Sequence, residues 1–216
     1  MGITERRERE REELRRKILE AARELLLREG YAAVTMRRIA DAIEYSPTAI
    51  YHHFEDKDDV IHSLCREDFS RLLAALEDAQ APADPLTAVR DLGLAYARFA
   101  RTHPDHYRVM FLTPPTHEHD KNDDEPGMQA FGRLRATMQT AMDAGLLRSG
   151  DATVNAQVAW AMLHGTVALL ITYPAHMFPV APPPDDFVER ALETGLRGMA
   201  TPAGLALLDA ARGQEG

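Results

Sequence analysis

The sequence predicts an all-α fold: a small N-terminal helix-turn-helix unit followed by a larger helical part. Three observations predict it. Apolar residues recur at spacings of three and four along nearly the whole chain. The strict alternation of a half-buried strand is almost absent. The apolar segments are separated by helix punctuation, with Ser, Thr or Pro at starts and Gly or Pro at stops.

The elements follow in order. Arg6 to Arg16 interleaves Arg and Glu, the pattern of a solvated, self-paired helix start. Ile18, Ala21, Ala22, Leu25 and Leu26 continue that helix as an apolar stripe, which Gly30 ends. Thr35 stands as an N-cap to a short helix with Met36, Ile39, Ala40 and Ile43 inward. "EYS" is a turn. Ser46 caps a second short helix, and Pro47 takes its first position, where a missing N–H costs nothing. "EDKDD" opens a longer helix to about Asp78, with Val60, Ile61, Leu64, Phe69, Leu72, Leu73 and Leu76 expected inside. Pro85 starts a helix through Leu86, Val89, Leu92, Tyr96 and Phe99 that "THP" ends, and Pro104 opens a short one through Met110. Thr113 to Gly127 reads as a loop. Helices are expected over Met128 to Leu147, Ala152 to Thr172 and Phe187 to Met199, with a short one over Pro202 to Arg212. The Ala152–Thr172 segment is apolar almost all round, so burial on several sides is expected.

Composition narrows the functional classes. The single cysteine, Cys65, excludes an internal disulfide and fits a reducing compartment. No signal-peptide core is visible, and Asn155, Gln157, His164 and Gly165 interrupt the longest apolar stretch. The expectation is a cytoplasmic protein with no membrane partner. The net charge of −9 argues against a nucleic-acid coat over the whole surface, not against one local face. Residues 1–60 carry 12 Lys/Arg and 14 Asp/Glu, so this part is close to neutral.

Two short helices joined by a tight turn form a helix-turn-helix candidate, the second helix being the reader of a DNA major groove. Such pairs also occur as plain packing units. Ser46, Thr48, Tyr51 and His52 can hydrogen-bond phosphates or base edges without burying a charge, and Pro47 starts their helix. Thr35 and Arg37 lie at the start of the preceding helix, and Lys57 at the next helical start is placed to clamp a phosphate.

"VTMRRIADAIEYSPTAIYHHFEDKDDVI", Val34 to Ile61, resembles the DNA-binding region of the tetracycline-repressor (TetR) family of bacterial transcription regulators. The matching features are Thr35, Ile39–Ala40, the Ser46 cap, and "IYHHF" followed by Lys57. The resemblance implies nine or more helices, a DNA-binding domain over residues 1–56, and a ligand-binding and dimerisation domain over 57–216. It implies a homodimer on a pseudo-palindromic double-stranded operator and a small-molecule effector that loosens DNA binding. It implies neither enzymatic activity nor a cofactor. The family usually has Ala-Gly-Val before the serine, where this chain has Ile43-Glu44-Tyr45. Glycine there supplies a left-handed backbone that Glu44 adopts only at a cost of about 1 kcal/mol. Trp160 with His164-Gly165 resembles a subgroup signature, in which helices 152–172 and 187–199 form the dimer's four-helix bundle. Val158, Met162, Leu169, Val188, Leu192, Leu196 and Met199 offer the apolar faces, and Gly165 lets a helix come close. These faces would otherwise close an internal core.

The candidate effector residues are Tyr96, Phe99, His103, Tyr107, Met138, Met142, Trp160 and His164. Aromatic and Met side chains at helical spacing equally form ordinary core. His103, His106, His117 and His119, with Asp105, Glu118 and Asp120 nearby, are the one candidate metal cluster, against the alternative of a solvated loop. A metal-dependent enzyme draws no support from HExxH, GxSxG, CxxC or a Gly-rich phosphate loop, none of which occurs. An all-α interaction protein without DNA binding is the other alternative class.

Overall fold

The computed structural model describes residues 2–77, 84–112, 125–177 and 183–212. Ten α-helices are present among them: α1 (Ile3–Glu29), α2 (Met36–Ala42), α3 (Pro47–Tyr51), α4 (Lys57–Glu77), α5 (Pro85–Thr102), α6 (Pro104–Tyr107), α7 (Pro126–Asp143), α8 (Ala152–Thr172), α9 (Pro184–Met199) and α10 (Pro202–Arg212). They divide into two compact units. One holds residues 1–70 and 105–121, the other 71–104 and 122–216. α4 runs on without a break past residue 56, and Val109 packs into the core of the N-terminal helices.

In the N-terminal unit, Ile18, Ala22, Leu25 and Leu26 of α1 close on Ile39 and Ala40 of α2, Ile50 of α3 and Val60, Ile61 and Leu64 of α4. A polar network is buried beside this core. Arg23 donates to both oxygens of Asp68, Nη1 to Oδ2 at 2.6 Å and Nη2 to Oδ1 at 2.9 Å, and His106 Nδ1 lies 2.6 Å from the same Oδ1. Asp68 is wholly inaccessible, and Arg23 Nε has no hydrogen-bond partner, with Glu20 Oε2 at 3.6 Å. Burial pushes the neighbouring Cys65 thiol up to about 11, with Asp68 adding to it, so the thiol stays protonated.

In the C-terminal unit, Leu86 and Val89 of α5, Met138, Ala141 and Met142 of α7, Leu147, Ala156 of α8 and Leu196 of α9 form one cluster. A Cβ on Gly93 would run into Leu192, so α5 and α9 touch there. Gly165, the expected point of close approach, has nothing within 4 Å of such a Cβ.

Several expectations are corrected. Phe69 and Leu73 are half-buried, not buried. The segment after Pro104 is one α-turn followed by a π-helical turn over Arg108–Leu112, which carries Val109 into the N-terminal core. α7 starts at Pro126 and stops at Asp143, earlier than Leu147, because Gly145 (φ 70°) takes the left-handed position of a Schellman stop. Its N–H bonds Met142 O at 2.9 Å, and Leu146 N–H bonds Ala141 O at 3.0 Å. α9 starts at Pro184, a turn before Phe187. α8 is not buried on several sides. Val154, Val158, Trp160, Met162 and Leu169 are 38–53% exposed. α8 is long and apolar enough to meet the length and composition of a membrane span, as the core helix of a soluble protein also can be.

Candidate nucleic-acid interface

The helix-turn-helix is assembled by local chemistry. Gly30 ends α1 with φ 83°, and its N–H bonds Leu26 O at 2.9 Å. Thr35 caps α2 by accepting from Arg38 N–H at 3.2 Å, and Ser46 caps α3 by accepting from Ala49 N–H at 3.3 Å, with Pro47 behind it. Thr35 and Ser46 therefore use their side chains on their own helices in this state.

The turn between α2 and α3 is a Schellman motif without glycine. Glu44 N–H bonds Asp41 O at 3.4 Å, Tyr45 N–H bonds Ala40 O at 2.9 Å, and Glu44 itself sits at φ 61°. The chain keeps the turn geometry that glycine would supply and accepts the strain of a Cβ there.

The turn and α3 then sort the predicted residues. Ile50 and Phe54 are buried and His53 half-buried, packed beside Phe54 with ring centroids 6.4 Å apart. Ser46, Pro47, Thr48, Tyr51 and His52 are exposed together, Tyr51 at 57%. Thr35 and Arg37 are exposed as well. Arg37 has only a loose approach to Asp41, 4.0 Å, whereas Arg38 is fastened to Glu29 Oε1 at 2.9 Å and to Ala33 O at 3.3 Å. Arg38 and then Arg28 hold Glu29 down to about 2. The two adjacent arginines thus divide: Arg38 ties α2 to the end of α1, and Arg37 faces water. Lys57 is half-buried, its Nζ 3.9 Å from the centre of the Tyr31 ring, and the Tyr31 hydroxyl is bonded to Asp58. Burial and Asp58 raise that hydroxyl to about 12. Sequence reasoning left out Tyr45, which is 44% exposed on the turn. The available signal was a large aromatic in a turn too short to bury it.

The candidate effector residues do not all come together. In the C-terminal unit Tyr96 Oη and His164 Nδ1 are 3.0 Å apart. The Trp160 ring lies 5.4 Å from His164 and 6.4 Å from Phe131. Burial lowers the His164 pKa, so the neutral ring, which can exchange one hydrogen bond with Tyr96 Oη through Nδ1, is favoured. Met138 and Met142 lie in the core cluster behind, Met138 fully enclosed. Phe99 stacks on His103 at 5.0 Å. Tyr107 is fully buried and belongs to the N-terminal unit. Among the described residues no group of three His, Cys, Asp or Glu is arranged for a metal, and His106 is engaged by Asp68. His117 and His119, with Glu118 and Asp120, lie outside the described residues.

The comparisons agree with this architecture. The family model for "Bacterial regulatory proteins, tetR family" matches residues 18–64, and that for the "Tetracyclin repressor-like, C-terminal domain" matches residues 89–195. An HTH-type transcriptional repressor of Mycobacterium tuberculosis is 47% identical over 60 residues, 28% of this chain and 32% of that protein. The HTH-type transcriptional repressor AcnR of Corynebacterium diphtheriae is 41% identical over 58 residues, 27% of this chain and 30% of that one. The chain thus spans about a third of the length of these relatives. Among solved structures, a Rhodococcus protein of unknown function superposes with TM-score 0.71 at 29% identity, covering 87% of this chain and 96% of its own. The TetR-family regulator PfmR of Thermus thermophilus shares the fold with TM-score 0.61 at 23% identity, covering 84% and 97%. With both halves matched by models of one family, the chain belongs to the TetR family of bacterial regulatory proteins.

Proposed function

We propose that this chain is a DNA-binding transcriptional regulator, a repressor that binds a pseudo-palindromic operator as a homodimer and is released by a small molecule. The observation that carries the reading is the exposed polar row Ser46, Pro47, Thr48, Tyr51 and His52 on α3, flanked by Thr35 and Arg37. No carboxylate stands in that row. It offers hydroxyl, imidazole and guanidinium donors to a major groove and its phosphates. Lys57 reaches a phosphate only by leaving the Tyr31 ring, so its part is a contact made on binding. The DNA-binding function is assigned to residues 1–56, and ligand binding with dimerisation to 57–216.

The dimer reading is supported by the outward stripe of α8. Val154, Val158, Met162 and Leu169 are exposed along one face, and Gly165 lies open between them. A second copy is a better cover for this stripe than the chain itself. The contribution of α9 is revised. Val188 and Leu196 are 3% exposed in the chain's own core, so the exposed Thr194 and Gly198, with the half-buried Phe187 and Ala191 beside them, take that role. The effector reading rests on the Tyr96–His164 pair beside Trp160 and Phe131, a few polar atoms among aromatic walls, with Phe99 and His103 further along α5. Tyr107 is left out of it. Membership of the subgroup carrying Trp160 and His164-Gly165 is part of the same proposal.

The test is enrichment of duplexes from a random-sequence pool by the full chain, followed by gel shift of the recovered duplex. Tyr51→Ala and Thr48→Ala are expected to weaken that complex at least tenfold while leaving helicity unchanged. Failure to enrich any duplex at about 50 mM salt refutes the reading.

A further inference from the structure

We propose that the N-terminal part of α1 is a second phosphate-binding surface, on which Arg7 and Arg11 grip the DNA backbone flanking the operator. This rests on the DNA-binding reading above and extends its footprint.

α1 is longer than its packing requires. Its first buried residue is Ile18, and residues 4–13 are all exposed, a projection of about 15 Å. At 100° per residue, Arg7, Arg11 and Arg15 fall on the same side of α1 as Ile18, Ala22 and Leu25. The side that faces the core further along is thus a basic stripe here. It begins beside the C-terminal end of α3. The Arg15 guanidinium lies over the Phe54 ring, 4.6 Å from its centre. One turn outward, Arg11 adds, with Arg15 and after burial, to the lowering of the His53 pKa, so its charge is felt at the end of α3.

The self-pairing expected of this run holds for only part of it. Arg6 bonds Glu10 at 2.8 Å, Lys17 pairs with Glu13 at 3.0 Å, and Arg15 lies 3.7 Å from Glu67. Arg7 and Arg11 pair with no carboxylate among the described residues. Glu8 and Glu12 border the stripe on one side, and Glu10, three residues from Arg7 on the other, is held by Arg6. Charge distribution points the same way. Residues 1–17 hold seven Arg/Lys and five Glu, a local +2 in a chain of net −9. A polyanion is therefore the partner that this projection fits, and a duplex seated on α3 supplies one next to His52.

The test uses the full chain and a duplex recovered from the random pool, prepared with long flanks and again trimmed to its footprint core. The double variant Arg7→Ala/Arg11→Ala is expected to bind the long duplex about tenfold more weakly. Its plot of log affinity against log salt should be shallower by about 2 for each bound protomer. Trimming the flanks should produce the same loss in the parent chain and none in the variant. Arg7→Lys/Arg11→Lys should restore the salt slope. Arg9→Ala/Arg16→Ala removes the same charge from the opposite side and should change little. Equal losses from the two alanine pairs, or an unchanged slope in the first, overturn this surface while operator binding stands. Absence of any recovered duplex overturns the operator reading and this one with it.

Discussion

Replacing Glu44 by glycine is expected to stabilise the N-terminal unit. Glu44 occupies φ 61° at the left-handed position of the α2–α3 turn. That conformation costs an L-residue about 1–2 kcal/mol. Glycine removes the cost but loses about 0.5–1 kcal/mol more backbone freedom on folding. The net expectation is a gain of about 0.5–1 kcal/mol. The closest reporter is the Tyr45 amide, bonded to Ala40 O at 2.9 Å across the turn. Its hydrogen exchange should slow by about two- to fivefold, the same free energy expressed as a rate. Glu44→Ala is the control. It removes the carboxylate but keeps the Cβ, so exchange should not slow, while DNA affinity rises through lost phosphate repulsion. Faster exchange in Glu44→Gly, or equal effects of the two variants on the amide, would refute the assignment of strain to this residue.

Other outcomes follow from the same geometry. Asp68→Ala leaves the Arg23 guanidinium buried without its partner and should cost about 3–5 kcal/mol in urea unfolding; a loss below 1 would show the pair to be solvated. Val158→Glu places a charge on the exposed face of α8 and should convert a dimer to a monomer in sedimentation, with little change in thermal stability, because the residue is 47% exposed in the chain. The His164 pKa is lowered from its ordinary 6.5, so the unfolded chain binds a proton first as pH falls. Its contribution is therefore present above pH 6.5 and is lost as pH drops from there toward the folded midpoint. An NMR titration of the His164 ring with a midpoint at or above 6.5 would contradict this.

The parts legible in sequence are those that local chemistry decides. Thr35, Ser46, Pro47 and Gly30 mark their helix ends by capping and backbone preference, so α2 and α3 follow from a few residues. Alternation of exposed Thr48, Tyr51 and His52 with buried Ile50 and Phe54 follows from helical spacing. Less legible are features decided at a distance. Asp68 meets Arg23 across 45 residues and His106 across 38, and nothing near any of them announces the network. The apolar character of α8 gives its hydrophobicity but not what covers it, so an all-round apolar pattern points to burial where Val154 and Val158 instead face outward. The turn at Glu44 was hard to read because its usual glycine is missing although its hydrogen bonds are kept.

The central claim is that α3 reads DNA, and a footprint of the full chain on a duplex enriched from a random pool tests it most directly. The account predicts two protected half-sites related by a two-fold axis, their centres about 34–36 Å or a multiple apart, and loss of protection in Tyr51→Ala and Thr48→Ala at unchanged helicity. An enriched duplex protected equally by the parent chain and by both variants would contradict it.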